Sequence, residues 1–213
     1  MRRINMETWS RREHFNIFST WDFPHFNMCA NVDLTSLYPY LKLHGISFNV
    51  AVVYLISRTA NDIPEFRYRI REGEVIEHEV VHPGTTILID EELFAFCYFN
   101  YVEQFPEFNS QAGERIAYYK EHQTLKDPPG KDDLLFMTAI PWVSFTSFMH
   151  PMHLSPADSI PRFAWGKFFH EGESIKMPLS VQGHHAVMDG LHIGRYYEKI
   201  QAYFDQPESV LGL

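Results

Sequence analysis

The sequence contains little cysteine, no basic cluster and no long apolar run. Its two cysteines, Cys29 and Cys97, lie far apart and without metal-ligand spacing, so we expect buried free thiols in a reducing cytoplasm. A net charge of −9 with no basic run argues against nucleic-acid binding. No stretch approaches the roughly 20 apolar residues that span a bilayer, and the first residues lack the apolar run of a signal peptide. We therefore expect a cytoplasmic protein with neither a nucleic-acid nor a membrane partner.

Internal repeats and clear domain boundaries are also missing. The absence of a fixed period excludes solenoids and hexapeptide β-helices. The loop-like segments 126–133 and 150–161 are too short, and too similar in composition to their flanks, to separate two domains. We therefore expect one domain over residues 1–213, a length that buries a substantial core.

Helix-like and strand-like patterns alternate irregularly along the chain. The apolar run 50–60 is longer than a typical strand and predicts a buried helix, and 191–204 predicts an amphipathic helix. Glu72-Gly73 divides 69–81 into a predicted hairpin. Further helices are expected after Asp33 and at 111–122, and further strands at 85–90, 93–101, 135–148, 163–169 and 175–182. This mixture predicts an α/β fold, a two-layer sandwich in which helices cover a mixed β-sheet.

The residues best suited to chemistry follow the strand predicted at 175–182. His185 lies where that strand ends and a turn begins, and the ordinary pKa of histidine near neutral pH suits a general base. Asp189 follows four positions later, with Gly190 behind it to permit a sharp turn. That carboxylate is expected either to orient the imidazole or to hold the loop by pairing with a cation elsewhere. We predict that His185 is a catalytic base.

Metal binding is the main alternative for these histidines. His184 and His185 are sequence neighbours, so on a strand they would point to opposite faces and not share one ion. The pair His150 and His153 has no evident carboxylate or thiolate partner. We therefore expect no metal site.

Four ordered motifs carry a resemblance over nearly the whole chain. The segment His184-His185-Ala186-Val187-Met188-Asp189-Gly190 resembles the signature of the chloramphenicol acetyltransferases of the trimeric, catalytic-histidine type. Segments similar to the family's other motifs are found at 9–15, at 64–67 with Gly73-Glu74, and at 141–148.

The resemblance implies a reaction. His185 would take the proton from an acceptor hydroxyl, such as one of chloramphenicol, while that oxygen attacks the thioester of acetyl-CoA. Ser147 would donate a hydrogen bond to the oxyanion, an effect worth about 3–4 kcal/mol for a comparable donor. Asp189 would pair with Arg11 and hold the loop 185–189, which we call the histidine loop.

The resemblance also implies a binding site and an assembly. Lys167, with Ser147, would lie on the cofactor side, and Phe18 and Phe26 would line the acceptor pocket. The active sites would lie between the subunits of a homotrimer, with acetyl-CoA as co-substrate and no metal. From the residues alone, Lys167 is equally well an edge-strand lysine whose stem covers apolar surface, and both phenylalanines are equally well core residues.

At two places the sequence departs from the family pattern, and these departures leave the identity of the acceptor undetermined. Ala164 stands where the family usually has a threonine that holds a water, and 149–156 differs from the family's Asn-rich sequence. A transferase for another alcohol or amine, or a weakly active homologue that binds a small apolar ligand, are therefore alternatives. The catalytic domains of 2-oxo acid dehydrogenase complexes normally carry His-Arg in place of His-His, and peptide-synthetase condensation domains are about twice as long, so both fit less well.

Overall fold

The computed structural model describes residues 1–212, in which ten strands and six α-helices alternate along the chain. The strands are β1 Arg2–Arg3, β2 His25–Asp33, β3 Tyr68–Arg71, β4 Glu74–Glu77, β5 His82–Leu88, β6 Phe94–Tyr98, β7 Leu134–Ile140, β8 Arg162–Gly166, β9 Phe169–Glu171 and β10 Ser174–His184. The helices are α1 Arg12–Phe18, α2 Leu37–Leu43, α3 Phe48–Asn61, α4 Phe105–Glu121, α5 Gly190–Asp205 and α6 Pro207–Leu211, with a 3-10 helix at Pro64–Arg67.

The main sheet is mixed and has the strand order β2-β10-β8-β7-β5-β6, with β9 paired to β10. The strands β8, β7 and β5 are mutually parallel, whereas the outer pairs β2–β10, β10–β8 and β5–β6 are antiparallel. The hairpin β3–β4 and the short β1 form a separate three-stranded sheet. The long strand β10 thus carries the chain directly to the histidine loop.

The two faces of the main sheet have different surroundings. Because side chains alternate along a strand, Leu179 and Val181 of β10 face the core that α3, α4 and α5 build. Ser180 and Gln182 point the other way and hydrogen-bond to the segment that follows β7, at Phe148 O (3.1 Å) and His150 N (3.2 Å). We call the second side the open face.

The structure confirms the α/β class and most of the predicted elements. The run 50–60 lies within α3, the Glu72-Gly73 turn joins β3 to β4, and 191–204 lies within α5. The helix expected after Asp33 begins at Leu37, which places Pro39 in its first turn, where proline is tolerated.

Three expectations fail. The strand predicted over 135–148 ends at Ile140, where Pro141 follows and the chain leaves the sheet. The strand β2 and the helix α1 have no counterpart among the predicted elements. Cys97 is buried, but Cys29 is only half-buried because it lies on β2, an edge strand of the sheet.

Within residues 1–212, no helix combines the length and the apolar character that crossing a membrane requires.

Candidate active site

His185 is the first residue after β10 and lies in the turn that leads to α5. Its backbone N–H donates to Pro24 O at 2.8 Å, which fixes the turn against the start of β2. The imidazole stacks on Phe18, with ring centroids 4.0 Å apart and planes within 2°, and is tilted against Phe26 at 4.8 Å. The two aromatic residues that the resemblance placed at the acceptor pocket therefore hold the ring of His185.

An ion pair closes the other side of this loop. Asp189 is the N-cap of α5, and its Oδ1 accepts a hydrogen bond from Leu191 N at 3.0 Å. Arg11 donates from Nη1 to Asp189 Oδ2 at 2.5 Å and from Nη2 to the carbonyl oxygen of His185 at 3.4 Å. Burial disfavours the carboxylate, but the hydrogen bond and the charge of Arg11 outweigh it and lower the pKa of Asp189 to about 2. The pairing that the resemblance implied is thus present in the folded chain.

Two further residues extend this network. His192 Nδ1 accepts from the backbone N–H of Asp189 at 3.0 Å, and His192 Nε2 lies 3.3 Å from Glu65 Oε1. Burial opposes ionisation of Glu65, yet the hydrogen bond from His192 leaves its pKa below the usual value. Neither residue was singled out from the sequence, although the spacing of Asp189 and His192 is that of a capping box. The network joins the histidine loop to α1 and to the 3-10 helix.

His184 has surroundings unlike those of its neighbour. Its Nδ1 accepts a hydrogen bond from Ala186 N at 3.2 Å, and its ring meets that of His25 edge-on at 5.1 Å. Burial lowers the pKa of His184 to about 4, with a smaller contribution from His25. His184 is therefore neutral near pH 7 and packs on the open face.

Ser147 does not meet His185 within one chain. It lies in the irregular segment 141–148 and is exposed. The next residue, Phe148, is hydrogen-bonded to Ser180 on the open face, whereas Phe26, which contacts the ring of His185, packs against the helix-covered core. Ser147 and the imidazole are thus on opposite faces of the sheet.

Two cavities share Thr86, Phe94 and Thr138. One, of about 730 Å³, lies where β5, β7 and β8 end, and it is lined by residues of α3 and α4 and by Lys167. The other, of about 690 Å³, lies on the open face and is lined by aromatic rings and by His150. Lys167 is exposed, and its backbone N–H donates to Val143 O at 2.9 Å. The predicted cofactor-side lysine therefore borders a cavity but contacts neither Ser147 nor His185.

Charged groups tie the segment 149–161 to the sheet. Asp158 accepts from Arg162 Nη1 and Nη2 at 2.9 and 2.6 Å. His25 Nε2 lies 2.8 Å from Asp158 O. Although burial opposes it, the hydrogen bond from Arg162 lowers the pKa of Asp158. Ala164, where the family usually has a threonine, is fully buried on β8 between Ser180 and Thr138 of the neighbouring strands.

In residues 1–212, no group of three or more His, Cys, Asp or Glu side chains is arranged to hold a metal ion.

Comparisons with known proteins agree with this architecture. The family model described as "Chloramphenicol acetyltransferase" matches residues 1–201. A chloramphenicol acetyltransferase of Proteus mirabilis is 33% identical over 204 residues, which are 95% of this chain and 94% of that protein. A solved chloramphenicol acetyltransferase superposes with a TM-score of 0.85 at 27% identity, over 94% of this chain and 98% of the other. The dihydrolipoamide acetyltransferase of Azotobacter vinelandii shares the fold, with a TM-score of 0.70 at 15% identity over 93% and 88% of the two chains. The chain belongs to the chloramphenicol acetyltransferase family.

Proposed function

We propose that this protein transfers the acetyl group of acetyl-CoA to a hydroxyl of chloramphenicol, with His185 as general base. The single observation that carries the role of His185 is the way its loop is held. Phe18 and Phe26 hold the ring, while Arg11 contacts both Asp189 and the carbonyl oxygen of His185. Such a rigid loop presents an imidazole in one orientation, as general-base catalysis requires.

Proton transfer in this proposal runs through one nitrogen. His185 Nδ1 is buried, which leaves Nε2 to accept the proton of the acceptor hydroxyl while its oxygen bonds to the acetyl carbon. Ser147 donates a hydrogen bond to the oxyanion that forms. When the C–S bond breaks, His185 returns the proton to the departing thiolate. Asp189 and Arg11 position the loop and take no proton.

Direct attack by the acceptor fits the state of the two cysteines. Burial raises the pKa of Cys97 to about 12 and also raises the pKa of Cys29. Both thiols are therefore protonated near neutral pH and are poor nucleophiles. No covalent acyl-enzyme is needed in this proposal.

The cavity of about 730 Å³ suits the cofactor. Phe48 and Phe168 lie at its wall with ring centroids 6.1 Å apart. Two lysines, Lys120 and Lys167, and two carboxylates, Glu91 and Glu92, also line it. Aromatic surface and cations are what a nucleotide with phosphate groups requires. We propose that Lys167 lies near a phosphate of acetyl-CoA.

A complete site in this proposal needs a second copy of the chain. Ser147 and the imidazole of His185 lie on opposite faces of one sheet, so the serine of one copy must meet the histidine of another. The segment that carries Ser147 also leaves apolar side chains uncovered, since Trp142 is 66% exposed, Val143 53% and Met149 57%. We propose a homotrimer of single-domain chains, residues 1–213, with active sites between subunits. We place it in the cytoplasm, where both thiols stay reduced.

The test is an assay of thiol release from acetyl-CoA. Purified protein is mixed with acetyl-CoA and chloramphenicol, alongside His185→Ala as control. Saturable release by the wild type and none by the variant is the expected result. Equal release by both proteins would remove His185 from the mechanism.

A second candidate function rests on Ala164 and on the segment 149–156, which depart from the family pattern on the acceptor side. In this alternative the enzyme keeps acetyl-CoA and acetylates another alcohol or an amine. A panel of alcohols and amines in the same assay separates the two. A kcat/KM at least tenfold higher for another acceptor than for chloramphenicol would favour the alternative.

A further inference from the structure

The cavity of about 690 Å³ on the open face combines an aromatic wall with few free charges. Its aromatic residues are Phe94, Phe96, Tyr98, Phe136 and Phe148. The guanidinium of Arg162 is paired with Asp158 and lies over the ring of Phe136 at 5.3 Å, and Asp127 accepts the hydroxyl hydrogen of Tyr98. Lys131, which also lines the cavity, is exposed. The interior thus suits a flat, uncharged group.

His150 lines the same cavity and is firmly held by its backbone. Its N–H donates to Gln182 Oε1 at 3.2 Å, and its ring meets that of Phe148 edge-on at 4.8 Å. Gln182 Nε2 also lies 3.6 Å from Met152 Sδ, a second contact between β10 and the segment. The backbone N–H of His150 is therefore hydrogen-bonded to a side chain of β10, three residues before the histidine loop begins at His185.

The imidazole of His150, in contrast, has no hydrogen-bond partner. Among residues 1–212, neither ring nitrogen bonds to another residue, and Nε2 is buried. Burial, and to a smaller extent the charge of Arg162, lower the pKa of His150 to about 4. The ring is therefore neutral near pH 7 and offers one N–H donor and one acceptor nitrogen. A buried polar group without a partner is unusual and is satisfied by water or by a ligand.

We propose that His150 is a specificity-determining residue that hydrogen-bonds an uncharged polar substituent on the aromatic end of the acceptor. The inference rests on the proposed function and narrows its acceptor to alcohols with a flat apolar body and such a substituent. It assigns a role to one of the residues in 149–156 by which this chain departs from its family.

The experiment compares two acceptors that differ in one group. Chloramphenicol carries an uncharged nitro group on its aromatic ring, and the matched analogue carries hydrogen there. The variants are His150→Leu, His150→Gln and the control His170→Leu, which changes an exposed histidine on β9 that lies outside the cavity. Initial rates give KM for each acceptor and for acetyl-CoA.

We expect His150→Leu to raise the KM for chloramphenicol about tenfold, equivalent to about 1.4 kcal/mol of binding. The KM for the analogue and that for acetyl-CoA should change less than twofold. His150→Gln, which keeps a donor and an acceptor, should restore most of the loss, and His170→Leu should behave as wild type.

Two results would overturn the inference, and they are distinguishable. Wild-type turnover with an unchanged or equally shifted KM for both acceptors in His150→Leu overturns the role of His150 alone. Absence of thiol release by the wild type with every acceptor tested overturns the proposed function and this inference with it.

Discussion

The histidine loop and the segment 141–161 flank the same strand, β10, but the chain holds them very differently. In the loop, the Asp189 carboxylate accepts hydrogen bonds from Arg11 and from the start of α5, and the Asp189 backbone N–H donates to His192. In the segment, Trp142 and Ser147 are exposed, and the ring of His150 has no partner. One chain therefore holds the loop of the proposed base, whereas the proposed acceptor side is left to a ligand or a second copy.

The largest effect is expected within the loop, where two adjacent histidines serve as a matched pair. His185→Gln removes the proposed base and should lower kcat about a thousandfold, because general-base catalysis contributes typically 10²–10⁴-fold. His184→Gln replaces a buried neutral ring and should lower the unfolding temperature while retaining most of the turnover. Steady-state rates and thermal melts of both variants test this expected difference between His185 and His184. Similar losses of kcat in both variants would mean that the motif acts only through folding.

The next effect concerns the ion pair that holds the loop. Asp189→Asn leaves Arg11 without a counter-charge and should lower kcat about tenfold, because the imidazole is less well oriented. It should also lower the free energy of unfolding by about 2 kcal/mol near pH 7.

The stability part depends on pH in a defined direction. The pKa of Asp189 in the folded protein, about 2, lies below the ordinary 3.8, so the stabilisation is complete well above 3.8. It is lost as the pH falls toward 2. The difference in unfolding free energy between wild type and Asp189→Asn, measured in urea, should therefore shrink between pH 7 and pH 3. A difference that is constant over this range would show that the charge of Asp189 contributes nothing.

The smallest effect is expected on the proposed acceptor side, at the buried Ala164. Ala164→Thr would place a hydroxyl between Thr138 and Ser180 and is expected to raise kcat modestly, about twofold to threefold. Ala164→Val adds nearly the same volume without a hydroxyl and controls for crowding in a packed site. A higher kcat for the threonine than for the valine variant isolates the hydroxyl. Equal rates would mean that another group already serves in its place.

Helices with a clear apolar face could be predicted from the sequence, whereas an edge strand and the irregular 141–148 region could not. The elements α3 and α5 were predictable because their apolar patterns coincide with the faces they bury. The strand β2 was not predicted because it is an edge strand with Asn27 and Asn31 in its interior, and asparagine seldom occurs in strands. The 141–148 region has strand-like composition, yet Pro141 ends the ladder.

The candidate site divides in the same way. His185 and Asp189 stand out from local spacing alone, and Arg11 followed from the family resemblance. The contacts of Glu65 and of the ring of His150 depend on elements that meet only in the folded chain. The local spacing of residues in the sequence does not predict contacts between elements that are distant along the chain.

Complementation between two inactive variants tests most directly whether each active site is shared between two subunits. His185→Ala and Ser147→Ala are denatured together in equal amounts and refolded, and thiol release is compared with that of each variant refolded alone. If each site takes its histidine from one copy and its serine from the next, random mixing should restore about one quarter of the wild-type activity. A mixture no more active than the average of its two components would contradict a site shared between subunits.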